Sequence, residues 1–294
     1  MKIQDSPNCS STNYSTIVDD ISSSHEKGII KKDKQVFGTS EWAVENANFI
    51  NGCIHDCKYC YSKEMAIRFK RKTSENWKNE EINEKKLAKR FRKVDGYIMF
   101  PSSHDISPEN IDLSLIFLEN LLKNKTDVLI VTKPHLSVIK EICEKFAKQK
   151  ENILFRFTIG SCNSENLKFW EHNAPSFEER LQSLKFAYEN GFKTSLSCEP
   201  ILDAGTLELV EKVLPYTTDA IWIGKPNFLL KRIKMNGITD KETIQKAEEL
   251  INSLSDGWIT ELYNSLKDNP KIKWKESIKK IVNLEVSTIR GIDK

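Results

Sequence analysis

Six short apolar runs constrain this chain more than any other feature. They read NANFI (46–50), GYIMF (96–100), DVLIVT (127–132), NILFRFTI (152–159), KTSLSCEP (193–200) and DAIWIG (219–224). Most are β-branched or aromatic with little polar alternation, as strands covered on both faces should be. Amphipathic stretches lie between them, including IDLSLIFLENLLKN (111–124) and HLSVIKEICEKFAKQ (135–149), with apolar residues at helical spacing. In SFEERLQSLKFAYENG (176–191), Ser176 can cap a helix, Glu179 completes a capping box and Gly191 sits where the helix would stop. Strand–helix alternation of this kind gives an α/β fold with a parallel sheet and right-handed crossovers. Six units fit an incomplete (β/α)6 barrel, and a doubly wound sheet is the competing arrangement, since alternation does not separate the two.

The pattern bounds the chain's organisation. Residues 1–36 are rich in Ser, Asn, Asp and Lys and read as a polar, mobile extension. Residues 37–255 form the barrel, and 256–294, helical then basic and ambiguous, pack upon it. A G-x-x-x-x-G-K loop and a G-x-G-x-x-G turn are both absent, which argues against a nucleoside triphosphatase or a dinucleotide-binding dehydrogenase. The net charge of +3 says little about partners, but residues 63–93 hold twelve Lys/Arg against five Asp/Glu. Such a segment either follows a phosphate backbone or forms a solvated helical face. No stretch approaches the ~18 apolar residues that span a bilayer, and the N-terminal residues show no signal-peptide core, so a cytoplasmic protein is expected.

Against that background, NGCIHDCKYCYSKEM (51–65) holds three of the chain's seven cysteines. Cys53, Cys57 and Cys60 follow the first strand run, at the end of a parallel strand where barrel chemistry is sited. In a reducing compartment such a cluster reads as metal-binding or catalytic before it reads as a disulfide. Zinc held by the three thiolates and His55 is one possibility, which would make the chain a non-catalytic nucleic-acid-binding module. The spacing favours an iron–sulfur cluster, in which three thiolates leave one iron open to a small molecule.

The stretch GCIHDCKYCY resembles the cluster loop of the radical S-adenosylmethionine superfamily. Within it, the chain is most similar to the spore photoproduct lyase-like, or DNA-repair photolyase-like, branch. SSHDISPEN (102–110), LIVTKP (129–134), FWEHNAPSFEERLQSLKFAYENGF (169–192) and SCEPIL (197–202) resemble further segments of that branch in the same order. The resemblance implies a radical SAM-type partial barrel holding a [4Fe–4S] cluster on Cys53, Cys57 and Cys60. The open iron would bind S-adenosylmethionine, whose reductive cleavage would give a 5′-deoxyadenosyl radical and hydrogen abstraction from a substrate, with nucleic acid or a nucleobase the first candidate. A reductase or a flavodoxin- or ferredoxin-type donor would supply the electron.

Residue type and position, joined by the same resemblance for Tyr59, Lys133 and Thr158, give roles to other residues. Tyr59, Ser103, Asp105, Lys133 and Thr158 would contact the cofactor, with capping of a following helix the alternative role for Asp105. Tyr61 would line the substrate cavity or relay a hydrogen atom. Cys198, or Cys162, would donate hydrogen to a substrate radical, and Glu199 would contact substrate or cofactor. Arg156, on the same side of its strand as Thr158, needs a partner, for which Glu199 is a candidate. Ser102 stands where the lyase has its hydrogen-donor cysteine, so repair of spore photoproduct is not expected.

Overall fold

The computed structural model describes residues 35–291; the expected extension falls, except for its last two residues, outside them. The strands are β1 (Glu45–Asn46), β2 (Ile50–Asn51), β3 (Glu81–Ile82), β4 (Tyr97–Phe100), β5 (Asp127–Thr132), β6 (Ile153–Thr158), β7 (Lys193–Cys198), β8 (Ile221–Ile223) and β9 (Ile272–Trp274). Seven form one sheet in the order β1-β4-β5-β6-β7-β8-β9, and every adjacent pair is parallel.

Two differences from the sequence reading matter. The first apolar run is not one strand: β1 joins the sheet through Glu45 and Asn46, and β2 then turns away to pair antiparallel with β3. Asn48, between them, spends its side chain on the 102–103 backbone, as described below. The second is β9, a strand within the basic segment after residue 255 that periodicity left unassigned. Three residues are too few to show a period, and only their pairing with β8 reveals them.

Side-chain alternation gives the sheet two unlike faces. Ile98, Phe100, Val128, Ile130, Phe155, Phe157, Leu196 and Cys198 point to a large core shared with the helices. Met99, Leu129, Leu154 and Trp222 point the other way and meet Trp42, just before β1. Five strand spacings at about 4.8 Å would put β1 about 24 Å from β8 in a flat sheet. The Trp42 and Trp222 rings are instead 5.7 Å apart, so the sheet curls until its two ends face each other. That contact selects a partial, open barrel over the doubly wound alternative; β1 and β9 are not paired.

Charges on the inner face are matched across this closure. The Arg156 guanidinium lies 4.9 Å from the Trp42 ring and 5.2 Å from that of Trp222. It bonds Ser195 Oγ and Asp219, at 3.0 and 3.2 Å, and not Glu199 as expected. Glu199 pairs with Lys275 at 3.5 Å, and Lys275 pairs more closely with Glu41, at 2.7 Å. Lys275 directly follows β9, so the late strand carries the cation that neutralises two interior carboxylates. Among the described residues no helix is long and apolar enough to cross a membrane.

Candidate active site

The cysteine loop is fastened on three sides. Cys53 N–H donates to Trp77 O, Lys58 N–H to Trp170 O, and Ile54 N–H to Glu80 Oε1. Gly52 has φ +112°, and a Cβ there would lie 2.7 Å from the carbonyl oxygens of both Trp77 and Asn79. Only glycine permits that approach. Cys60 is the N-cap of the helix Tyr61–Arg68, its sulfur accepting from Lys63 N–H at 3.4 Å.

One cavity of about 220 Å³ opens at the C-terminal ends of the strands, and the three cysteines line it. Tyr59, Tyr61, Ser103, Asp105, Lys133, Thr158 and Glu199 line it too. Of the side chains given a cofactor or substrate role from the sequence, the fold gathers all here except the two candidate hydrogen donors, Cys198 and Cys162. Cys198 is fully buried in the helix-side core, its sulfur 4.0 Å from Gly160 O, while its neighbour Ser197 faces the cavity. Strand alternation puts Cys198 on the wrong face for hydrogen donation into this cavity, and Cys162 is not among the lining residues either.

Asp105 is also revised in detail. Its carboxylate accepts from His55 Nδ1 (3.1 Å), Ile106 N (3.0 Å), Lys133 N (3.2 Å to each oxygen) and the Thr132 hydroxyl. Burial alone would raise its pKa, but His55, Lys133 and Thr132 outweigh that and hold it well below the usual carboxylate range. With its oxygens so engaged, Asp105 ties the cysteine loop to the end of β5 and does not cap a helix. His55 is consumed in the same arrangement, since its other nitrogen lies 3.1 Å from His135 Nε2. A Cys3His zinc site would need one of those nitrogens, and among the described residues no three His, Cys, Asp or Glu side chains converge on a single ion.

The donor set suits a cluster instead. The three cysteines are free and face one cavity, and three thiolates on three separate irons are what such a cluster takes from a chain. Burial pushes all three thiols up, so they stay protonated until a metal displaces the protons. Lys133 brings an ammonium group to the same cavity. Burial opposes its charge, yet Cys57 when ionised, Glu171 and Asp105 outweigh this and raise its pKa.

Sequence reasoning missed a buried network behind Tyr59. The Tyr59 hydroxyl donates to Glu171, which pairs with Arg180 at 2.5 Å, both side chains being fully buried. Arg180 also donates to the carbonyl of Thr158 at 3.1 Å. One cation thus braces both an aromatic of the cysteine loop and the end of β6. Asn48 was missed as well: its Oδ1 accepts from Ser102 N and Ser103 N, and its Nδ2 donates to Ser102 Oγ. A polar residue interrupting an apolar run was the available signal. Ser176 caps its helix as expected, but Glu179 accepts from Leu136 N at 3.0 Å and so serves the start of a neighbouring helix.

Residues 47–212 match the model of the radical SAM superfamily. The chain belongs to that superfamily, whose members use a [4Fe–4S] cluster and S-adenosylmethionine. It is 29% identical over 154 residues to the uncharacterized protein MJ0683 of Methanocaldococcus jannaschii, covering 51% of this chain and 58% of that one. It is 27% identical over 172 residues to the uncharacterized protein ORF301 of Acidianus two-tailed virus, covering 54% and 56%. The chain thus spans less than two thirds of the length of these curated relatives. Among solved structures it is similar to a spore photoproduct lyase mutant with dinucleoside spore photoproduct, with TM-score 0.49, 14% identity, and 81% and 78% of the two chains covered. It is also similar to Streptococcus suis SuiB bound to S-adenosylmethionine, with TM-score 0.47, 15% identity, and 84% and 54% covered.

Proposed function

We propose that this protein reductively cleaves S-adenosylmethionine and uses the resulting radical to abstract hydrogen from a nucleic acid or nucleobase. The observation that carries the reading is the convergence of Cys53, Cys57 and Cys60 with Lys133, Ser103 and Thr158 on one cavity at the strand ends. Cluster and cofactor together supply a one-electron cleavage that starts hydrogen abstraction. The chain's own residues bind and orient. Lys133 takes the cofactor carboxylate in a charge-assisted bond, while the hydroxyls of Ser103 and Thr158 hold its polar groups. Tyr59, locked by Glu171, walls the cofactor side. Tyr61 stands half-exposed at the outer boundary, where it meets substrate and can exchange a hydrogen atom with it. An electron donor of reductase, flavodoxin or ferredoxin type completes the system.

The nucleic-acid part rests on the basic character of residues 63–93 and on exposed Phe69 beside Arg68 and Arg71, whose guanidinium carbons lie 5.8 and 5.9 Å from its ring. Reconstitution with iron and sulfide without oxygen tests the whole. The expected product is a brown protein with about four irons per chain that forms 5′-deoxyadenosine when reduced with S-adenosylmethionine. Cys57→Ala is expected to lose both colour and product. A colourless protein carrying stoichiometric zinc refutes the reading.

A further inference from the structure

A second cavity, of about 230 Å³, adjoins the first and shares four of its wall residues: Tyr61, Ser62, Ser102 and Ser103. Its outer wall is built by the segment between the Tyr61–Arg68 helix and β3, which Gly52 holds tight against the cysteine loop. The two chambers therefore share a wall, and whatever occupies the second borders the cysteine cavity.

The chemistry of this chamber is graded. Its wall sets the polar side chains of Asn51, Ser62 and Ser103 beside the apolar Ile50, Met65 and Trp77. Polar groups on an apolar wall suit a flat body that carries its own donors and acceptors. At its outer end stands Arg71, which also lines a shallow neighbouring surface with Lys70, Thr73 and Ser74. No acidic side chain lines either. Lys72, also shared, is already paired with Glu81 at 2.6 Å, so among the described residues the cations here without a carboxylate partner are Arg71, which leans on the Phe69 ring, and Lys70. An exposed guanidinium with no carboxylate beside it, at the mouth of a polar chamber, is suited to an anion with planar oxygens.

We infer that this second chamber is the substrate subsite, and that Arg71 anchors a phosphate of the substrate while an attached ring enters past Tyr61 toward the cysteine cavity. The inference rests on the nucleic-acid reading above and adds the place of binding and the phosphate contact. A free nucleotide and a nucleotide within a strand offer the same chemistry, so the test separates them.

The test uses the reconstituted full chain without oxygen. Binding of a fluorescein-labelled single-stranded 12-mer, as DNA and as RNA, is measured beside binding of nucleoside monophosphates over a series of salt concentrations. Arg71→Glu is compared with Lys148→Glu, a charge reversal of equal size at an exposed residue outside the basic segment and outside both surfaces. Arg71→Glu is expected to weaken binding about tenfold or more and to flatten the salt dependence by about one phosphate contact, whereas Lys148→Glu changes affinity less than about threefold. Iron content and the spectrum of the reduced cluster, both unchanged, show the fold to be intact. Loss confined to the monophosphates assigns the subsite to free nucleotides, and loss with the 12-mers assigns it to a strand; both support it. Equal weakening by both reversals, or none by Arg71→Glu, overturns the subsite while leaving the nucleic-acid reading standing. No binding of any probe by a protein that still forms 5′-deoxyadenosine overturns the nucleic-acid reading and the subsite together, and leaves the radical chemistry in place.

Discussion

Arg180 shows how much one side chain can decide. It reaches Glu171, Pro175 O and Thr158 O from a fully buried position. Burial would raise the Glu171 pKa, but Arg180, Lys133 and Tyr59 reverse that and keep it ionised. Removing the cation strands a buried carboxylate beside the cofactor cavity. Arg180→Met is therefore expected to lower unfolding stability by about 3–5 kcal/mol. Tyr59→Phe removes one hydrogen bond to a group that keeps another partner, and should cost only about 1 kcal/mol. Denaturant unfolding of the two variants measures the contrast; equal losses would mean that Glu171 is not held as an ion by Arg180.

Elements near the site are positioned by backbone contacts more than by their own propensities. The β2–β3 pair has only two residues per strand, too few to be stable alone. What holds it is the packing of residues 77–79 onto Gly52. Gly52→Ala combines a disfavoured φ with a Cβ driven into two backbone oxygens, at an expected cost of about 2–4 kcal/mol. The melting temperature and the iron retained on reconstitution should both fall. The later strands were legible because each is a continuous apolar run with its own periodicity, and DVLIVT matches β5 residue for residue. NANFI and the segment holding Ile272–Trp274 were not, since in both only a neighbour's hydrogen bonds define the strand. The three cysteines and Lys133 were legible from spacing and placement. Glu171, Arg180 and Asn48 were not, because their partners are 9 to 112 residues away in the chain.

For the molecule as a whole, acid stability reports how the site end of the sheet is built. His104 is buried between Phe49 and Phe100, with ring centroids 5.4 and 5.8 Å away. Burial pulls its pKa down from 6.5 to about 4, against the opposing pull of Asp105. Between those values the unfolded chain binds the proton and the folded chain does not. This residue's contribution is thus complete above about pH 6.5 and is lost as pH falls toward 4. Glu41, raised by burial to about 7 despite Lys275, acts with the opposite sign over part of that window. The measurement is therefore a difference. From pH 7 to pH 5 the wild type should lose more unfolding free energy than His104→Leu, in which Glu41 is unchanged. Parallel losses would show that His104 is not buried as a neutral ring.

The sequence by itself determined the strand–helix alternation, the cysteine triplet and the order of loops that bring side chains to the strand ends. These depend on local periodicity and fixed spacing, which a linear chain carries. Only the tertiary structure decided that the sheet curls until Trp42 meets Trp222, that Cys198 faces away from the cavity, and that Asp105 and His55 satisfy each other. Each of those outcomes depends on which groups meet across long separations, and on the strong preference of buried charges and hydrogen-bonding groups for partners where the fold places them.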